Sequence, residues 1–287
     1  MALRLLSHIE LPAHRSNGGF DHADIHLPTD RLYVAHTSND SIDVIDCARD
    51  QYIESIPGLM AVAGALVSET RDLVFTSNRG ENTVSVFAPC DERNAFKIAV
   101  GVKPNGLAFD PSRGLLIAAN VGDPSIPDSY SVSVVDLGRR ERLAEVKVPG
   151  RTRWAIYDAA REVFFVNIAS PARIVVIDAR DPIKVATEYE VPAAGPHGLD
   201  LDPAEGRLLC ACDAGVLNDA LQGGRANGSR RTYAGTRPQE KQSVFVSAAI
   251  PSCRNICRYD LMGAPCQCSF HQLRVDDGKA LPSRPSA

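Results

Sequence analysis

Five times this chain repeats one pattern: an apolar strand, a short polar turn and an alternating strand. The apolar anchors run over 32–35, 73–76, 115–118, 163–166 and 208–211, and their starts are 41, 42, 48 and 45 residues apart. A period in the low forties with several short strands per unit is that of a β-propeller blade. One unit cannot bury its own sheet faces, so the repeats have to stack on one another. The expected fold class is all-β, a β-propeller of four-stranded blades. That scaffold hosts enzymes, cofactor carriers and binding platforms, so function has to be argued from a site.

Each unit opens on a half-polar segment. These segments are Phe20-Asp21-His22-Ala23, Ala63-Gly64-Ala65-Leu66, Asn105-Gly106-Leu107-Ala108, Arg153-Trp154-Ala155-Ile156 and His197-Gly198-Leu199-Asp200. A turn such as Asp110-Pro111-Ser112-Arg113-Gly114 follows, in which Pro and Gly set the φ angles. The anchor strand is apolar throughout, as burial on both faces requires. The third strand alternates, as in Ile42-Asp43-Val44-Ile45-Asp46. The fourth reads as an outer edge ending near Pro-Gly, where a missing N–H costs no ladder bond. The segment 5–12 resembles a fourth strand more than a first, and is expected to close the last blade.

The runs Tyr33-Val34-Ala35-His36-Thr37-Ser38-Asn39-Asp40-Ser41-Ile42-Asp43-Val44-Ile45-Asp46 and Val74-Phe75-Thr76-Ser77-Asn78-Arg79-Gly80-Glu81-Asn82-Thr83-Val84-Ser85-Val86-Phe87 resemble the YVTN propeller repeat of YncE-like proteins. Wider relatives of that group include the cytochrome d1 haem domain and lactonase-type propellers. The resemblance covers roughly residues 1–215 and implies seven blades, of which about five are recognisable. It implies a fold and leaves the activity open.

After Gly215 the pattern stops, and 216–287 shows no further anchor; Val244-Phe245-Val246 is the one compact candidate. Residues 216–287 hold ten Lys/Arg and five Asp/Glu, against 21 and 30 in 1–215. Degenerate blades, a basic extension and a tail from an altered reading frame all fit that change. An unclosed ring would expose blade faces and self-associate.

The net charge of −4 argues against a nucleic-acid binder. No apolar run reaches the length of a membrane span. The opening Met1-Ala2-Leu3-Arg4-Leu5-Leu6 is too short and too interrupted for a signal peptide, so a cytoplasmic location with reduced thiols is expected. Cys47, Cys90, Cys210 and Cys212 read as small buried hydrophobes.

In a propeller the first strand lines the central channel, and its start sits at one mouth. Superposing the repeats therefore gathers Asp21, Asn105, Arg153 and His197 there, with His22 and Trp154 one position on. Such a collection suits a ligand site for a small molecule or a protein. Arg153 would clamp a carboxylate or phosphate, and Trp154 would stack on a ring. Asp21, Asn105 and His197 form a candidate set for a divalent metal. The plainer reading is that polar groups solvate a water-filled channel and that Asn-Gly and His-Gly make turns. His36, Asn78, Asn120 and Asp213 read as turn caps, and 122–129 as a surface insertion or a lid. The tail cysteines Cys253, Cys257, Cys266 and Cys268 with His271 match no standard zinc spacing. CxxCH, GxSxG, P-loop and HExxH motifs do not occur. The expected function is a non-catalytic binding or scaffold module. The alternative is a metal-assisted lactonase or esterase, and the resemblance to the d1 and dehydrogenase propellers implies a third, a haem or quinone carrier.

Overall fold

The structure, a computed structural model, describes the backbone of residues 2–221, 244–246, 256–258 and 269–276, with side chains over 8–218. Strand β1 (Ala2–Glu10) is followed by five antiparallel sheets. Blade I is β2 (Ala23–His26), β3 (Arg31–His36), β4 (Ser41–Asp46) and β5 (Gln51–Pro57). Blade II is β6 (Val62–Ser68), β7 (Leu73–Asn78), β8 (Thr83–Ala88) and β9 (Asp91–Ala99). Blade III is β10 (Pro104–Asp110), β11 (Leu115–Asn120), β12 (Ser131–Asp136) and β13 (Glu141–Lys147). Blade IV is β14 (Thr152–Asp158), β15 (Val163–Ile168), β16 (Arg173–Asp178) and β17 (Thr187–Glu190). Blade V contributes β18 (Pro196–Asp202), β19 (Arg207–Cys212) and β20 (Val216–Leu221). Each sheet is a simple meander in chain order, so the chain is an all-β propeller.

The apolar anchors are the second strands, and in blades I to IV nearly every residue of them is buried. The core lies between blades rather than within one. Tyr33, Ile42 and Val44 of blade I meet Val62, Val74 and Phe87 of blade II. Phe75 and Val86 meet Leu107, Phe109 and Leu116. Ile117 and Val134 meet Phe164, Val166 and Val175, and Phe165, Ile174 and Val176 meet Leu199 and Leu208. The free face of blade I is covered by Ile9 and Leu11 against Leu32, Val34 and Ile45. Three 3-10 turns in blades I and II end on Asp30, Asp40 and Asp72 at φ of 51°, 54° and 51°. Asp tolerates this left-handed conformation better than most side chains.

Three expectations need correction. The repeat does not stop at Gly215, because Val216–Leu221 pairs in full register with β19 as a third strand. The apolar residues of that strand are interrupted by Asn218 and Asp219, which hid it. Cys90 is exposed, in the turn between β8 and β9 at φ 66°, and Cys47 is half-buried. His36, Asn78 and Asn120 are not turn caps. They are fully buried at the ends of second strands and reach across to the third. His36 Nδ1 meets Asp43 Oδ2 at 2.7 Å. Asn78 Nδ2 donates to Ser85 Oγ at 2.8 Å, and Asn120 Nδ2 to Ser133 Oγ at 3.0 Å. The same slot in blade V joins Asn218 Nδ2 to Cys212 Sγ at 3.1 Å. This is one cross-strand latch, present in four blades and written with three kinds of residue pair.

Beyond blade V, β21 (Val244–Val246) pairs with β22 (Ile256–Arg258), and β23 (Ser269–Asp276) pairs antiparallel with β1. The strand anticipated over 5–12 thus runs over Ala2–Glu10, with a register shift between Leu5 and Ser7. Of the tail residues weighed for zinc, Cys257 stands in β22 opposite Phe245 and His271 in β23 opposite His8, whereas Cys253, Cys266 and Cys268, with the altered-frame and extension readings, lie outside the described residues. Segment 122–129 folds onto itself: Asp123 N–H donates to Ser129 Oγ at 2.8 Å, and Lys103 Nζ meets Asp123 Oδ2 at 2.7 Å.

Candidate functional site

The first strands β2, β6, β10, β14 and β18 lie side by side in that order around one axis. Four of them begin with a register shift at the same repeat position. The shifts fall between Val62 and Gly64, Pro104 and Leu107, Thr152 and Ala155, and Pro196 and Gly198. A bulge re-aims the side chains it contains, and here those residues are Ala63, Asn105 and Gly106, Arg153 and Trp154, and His197. In blade I, Asp21 and His22 stand just before β2, held by Asp21 N–H to Ala35 O at 2.8 Å and Ala35 N–H to His22 O at 2.9 Å.

The glycines of the next column are not turn formers. Gly64, Gly106 and Gly198 lie within strands and outside the positive-φ glycines. They permit close approach of neighbouring blades. A Cβ on Gly64 would lie 2.6 Å from Asn105 O, and one on Gly106 would lie 2.5 Å from Arg153 O. Blades I and IV carry His22 and Trp154 in this column instead. Those two rings meet with centroids 4.2 Å apart, joining blades that are not sequence neighbours.

All six anticipated residues fall into one continuous cluster. Asp21 Oδ1 is 3.3 Å from His22 Nε2, and Asp21 Oδ2 is 3.2 Å from Arg79 Nη2. The same Arg79 nitrogen donates to Asn105 Oδ1. On the other side, Asp213 bridges His197 Nδ1 at 3.0 Å and Arg153 Nη2 at 3.7 Å. Arg79, Arg151 and Asp213 were not anticipated here. Arg79 and Asp213 are readable in retrospect, since each directly follows the second strand of its blade and so shares one repeat column.

Electrostatically the mouth is cationic. Three guanidinium groups stand near one another: Arg151 pushes the charge of Arg79 toward loss, and Arg151 and Arg79 both push that of Arg153. Two carboxylates, Asp21 and Asp213, oppose them. Burial lowers the pKa of Arg79 and of Arg153, and nearby Asp21 and Asp213 restore part of it. Burial likewise pulls His22 down to about 4; Asp21 resists this, while Arg79 and His197 add to it. His22 is therefore neutral at ordinary pH. The Nε atoms of Arg79 and Arg153 are buried without a hydrogen-bond partner. Donors left in that state keep their desolvation cost uncompensated.

The candidate metal donors are engaged otherwise. Asp21 and Asn105 share the Arg79 guanidinium, and His197 turns Nδ1 to Asp213. Among the described residues no three His, Cys, Asp or Glu side chains gather as a metal-holding group. A guanidinium between two of the three oxygen and nitrogen donors repels a cation, so this donor set does not fit a divalent metal in the arrangement seen.

No protein-family model matches the chain, and no curated protein does. Among solved structures it is similar to the Kuenenia stuttgartiensis hydrazine synthase. The TM-score is 0.60 at 13% identity, over 84% of this chain and 62% of that one. The present chain thus spans under two thirds of that protein. It is also similar to a chain of a nidogen/laminin complex, with a TM-score of 0.57 at 15% identity, over 70% of this chain and 75% of the other. Likeness at these identities concerns the fold. Among the described residues no helix is long and apolar enough to cross a membrane.

Proposed function

We propose that this chain is a non-catalytic binding module of YVTN-type whose channel mouth takes a small anionic ligand bearing a flat ring. The observation that carries the reading is the convergence of Arg79, Arg151 and Arg153 against only two carboxylates. Guanidinium groups are planar forks that match carboxylate and phosphate oxygens. Each of Arg79 and Arg153 spends one Nη on an aspartate and keeps further donors. The Trp154 and His22 rings beside them supply an apolar wall, and neutral His22 adds no competing charge. The bulged start of β14 holds Arg153 and Trp154 on sheet rather than on a loop.

The test is calorimetric titration with benzoate, its neutral counterpart benzamide, and inorganic phosphate. Benzoate is expected to bind more tightly than either. Arg79→Gln and Arg153→Gln should each weaken it about tenfold or more, the loss of one charge-assisted contact of about 1.5–3 kcal/mol. Equal affinity for benzoate and benzamide would overturn the anionic reading. Binding that is unchanged in both variants would move the site elsewhere.

A further inference from the structure

Behind the channel mouth, β19 carries two cysteines in a Cys-x-Cys spacing, Cys210 and Cys212. Side chains two apart on a strand share a face, and the two Sγ atoms are 4.0 Å apart. Both residues are buried, in the apolar cluster with Phe165, Leu199 and Leu208. Around the sulfurs lie two side-chain amides, one carbonyl and the backbone of His197, which hydrogen-bonds Cys210. Cys210 Sγ is 3.6 Å from Asn167 Oδ1, Cys212 Sγ is 3.9 Å from the Cys210 carbonyl, and Asn218 Nδ2 is 3.1 Å from Cys212 Sγ. Repeat symmetry shows how specific this is. Equivalent positions in blades I to IV hold Val34 and His36, Thr76 and Asn78, Ala118 and Asn120, and Val166 and Ile168.

A disulfide is the first alternative, and the geometry resists it. Residues two apart on an extended strand have Cα atoms about 6.7 Å apart, at the upper limit of about 6.8 Å for a bridge. The sulfurs would have to close from 4.0 Å to about 2.05 Å. That would pucker a strand laddered on both sides, to β18 and to β20. An ion needs no such movement. With metal–sulfur bonds of about 2.3 Å, sulfurs 4.0 Å apart subtend about 120° at the ion.

We infer that Cys210 and Cys212 form a two-thiolate chelate for a thiophilic ion of low coordination number, of the Cu(I) class. Soft thiolates select such ions over hard, oxygen-seeking cations. The apolar surround disfavours ions that demand several waters. Binding forms two metal–sulfur bonds and releases both thiol protons.

The test is anaerobic titration of reduced full-length protein with Cu(I) presented as its bicinchoninate complex, whose bleaching counts the ions transferred. Six other cysteines compete: Cys47, Cys90, Cys253, Cys257, Cys266 and Cys268. They are therefore changed to Ser, leaving Cys210 and Cys212. This variant is expected to withdraw one Cu(I) per chain, and Cys212→Ala in the same background none. Failure of the six-fold variant to withdraw copper while keeping native Trp154 fluorescence overturns the proposal. So does undiminished withdrawal after Cys212→Ala. If the six-fold variant does not fold, wild type is compared with Cys210→Ala plus Cys212→Ala. A loss of one equivalent supports the chelate, and equal stoichiometry overturns it. Recovery of the 208–225 tryptic peptide as an internal disulfide after mild air oxidation would also overturn it, by showing that the strand does pucker.

Discussion

Replacing His22 with Gln should make the fold less sensitive to mild acid. The reasoning runs from burial to linkage. His22 is held at about 4 against an ordinary 6.5, mainly because its side chain is only 11% exposed and packed on Trp154. Below pH 6.5 the unfolded chain takes up a proton at this ring, while the folded chain refuses it until about pH 4. Stability is therefore present in full above 6.5 and is lost as pH falls through this window. From those two values, the loss between pH 7 and pH 5 is about 2 kcal/mol. Asp24 acts in the opposite direction. Burial pushes its carboxyl up to about 6 despite N–H donation from Ile25 and Val67, so its contribution is lost as pH rises. That term, like those of the other histidines, is common to wild type and His22→Gln and cancels in their difference. The assay is urea unfolding of both proteins at pH 7 and pH 5, followed by the emission of Trp154, the chain's single tryptophan. Wild type should lose about 2 kcal/mol more than the variant across this interval. A difference under about 0.5 kcal/mol, or a His22 ring titrating near 6.5 by NMR, would refute the claim that the mouth keeps this ring neutral.

Three further outcomes follow from the packing. Gly106→Ala should separate blades III and IV, because its Cβ would lie 2.5 Å from Arg153 O; benzoate binding should fall before global stability does, read by calorimetry beside thermal melting. Asn78→Ala strands the hydroxyls of Thr76, Thr83 and Ser85, all now bonded to that amide, and should cost about 3 kcal/mol in urea unfolding. Phe164→Ala empties a fully buried site between blades III and IV and should cost about 3–5 kcal/mol by the same measurement.

The repeat was legible because stacked blades demand the same burial at the same position, and apolar runs such as Val163-Phe164-Phe165-Val166 announce it. The site residues in the first strands were legible for the same reason: register carries symmetry, and symmetry carries position. Arg79 and Asp213 were missed as site residues because they follow the second strand, outside the first-strand column that the superposed repeats single out. No single repeat marks that position as special. Val216–Leu221 was missed because Asn218 and Asp219 break the apolar alternation, while the ladder to β19 needs only backbone groups. The latch residues were misread for a subtler reason. Asn at the end of a strand caps turns as readily as it crosses to a neighbour, and only burial tells the two apart.

The pairing of β1 with β23 has a consequence in time. Glu10 meets Ser269 and Ala2 meets Asp276, so partners are separated by 259 to 274 positions. During synthesis β1 waits for β23 to emerge. Blades I to V form from contacts between neighbours and can assemble in order as they emerge. That pairing cannot form until residues 269–276 have emerged, and among the described strand pairings it closes the longest loop. Until then Ile9 and Leu11 have only blade I to cover. A nascent chain stalled before residue 269 should therefore hold its blades while its first strand remains free for a chaperone or a second chain to seize.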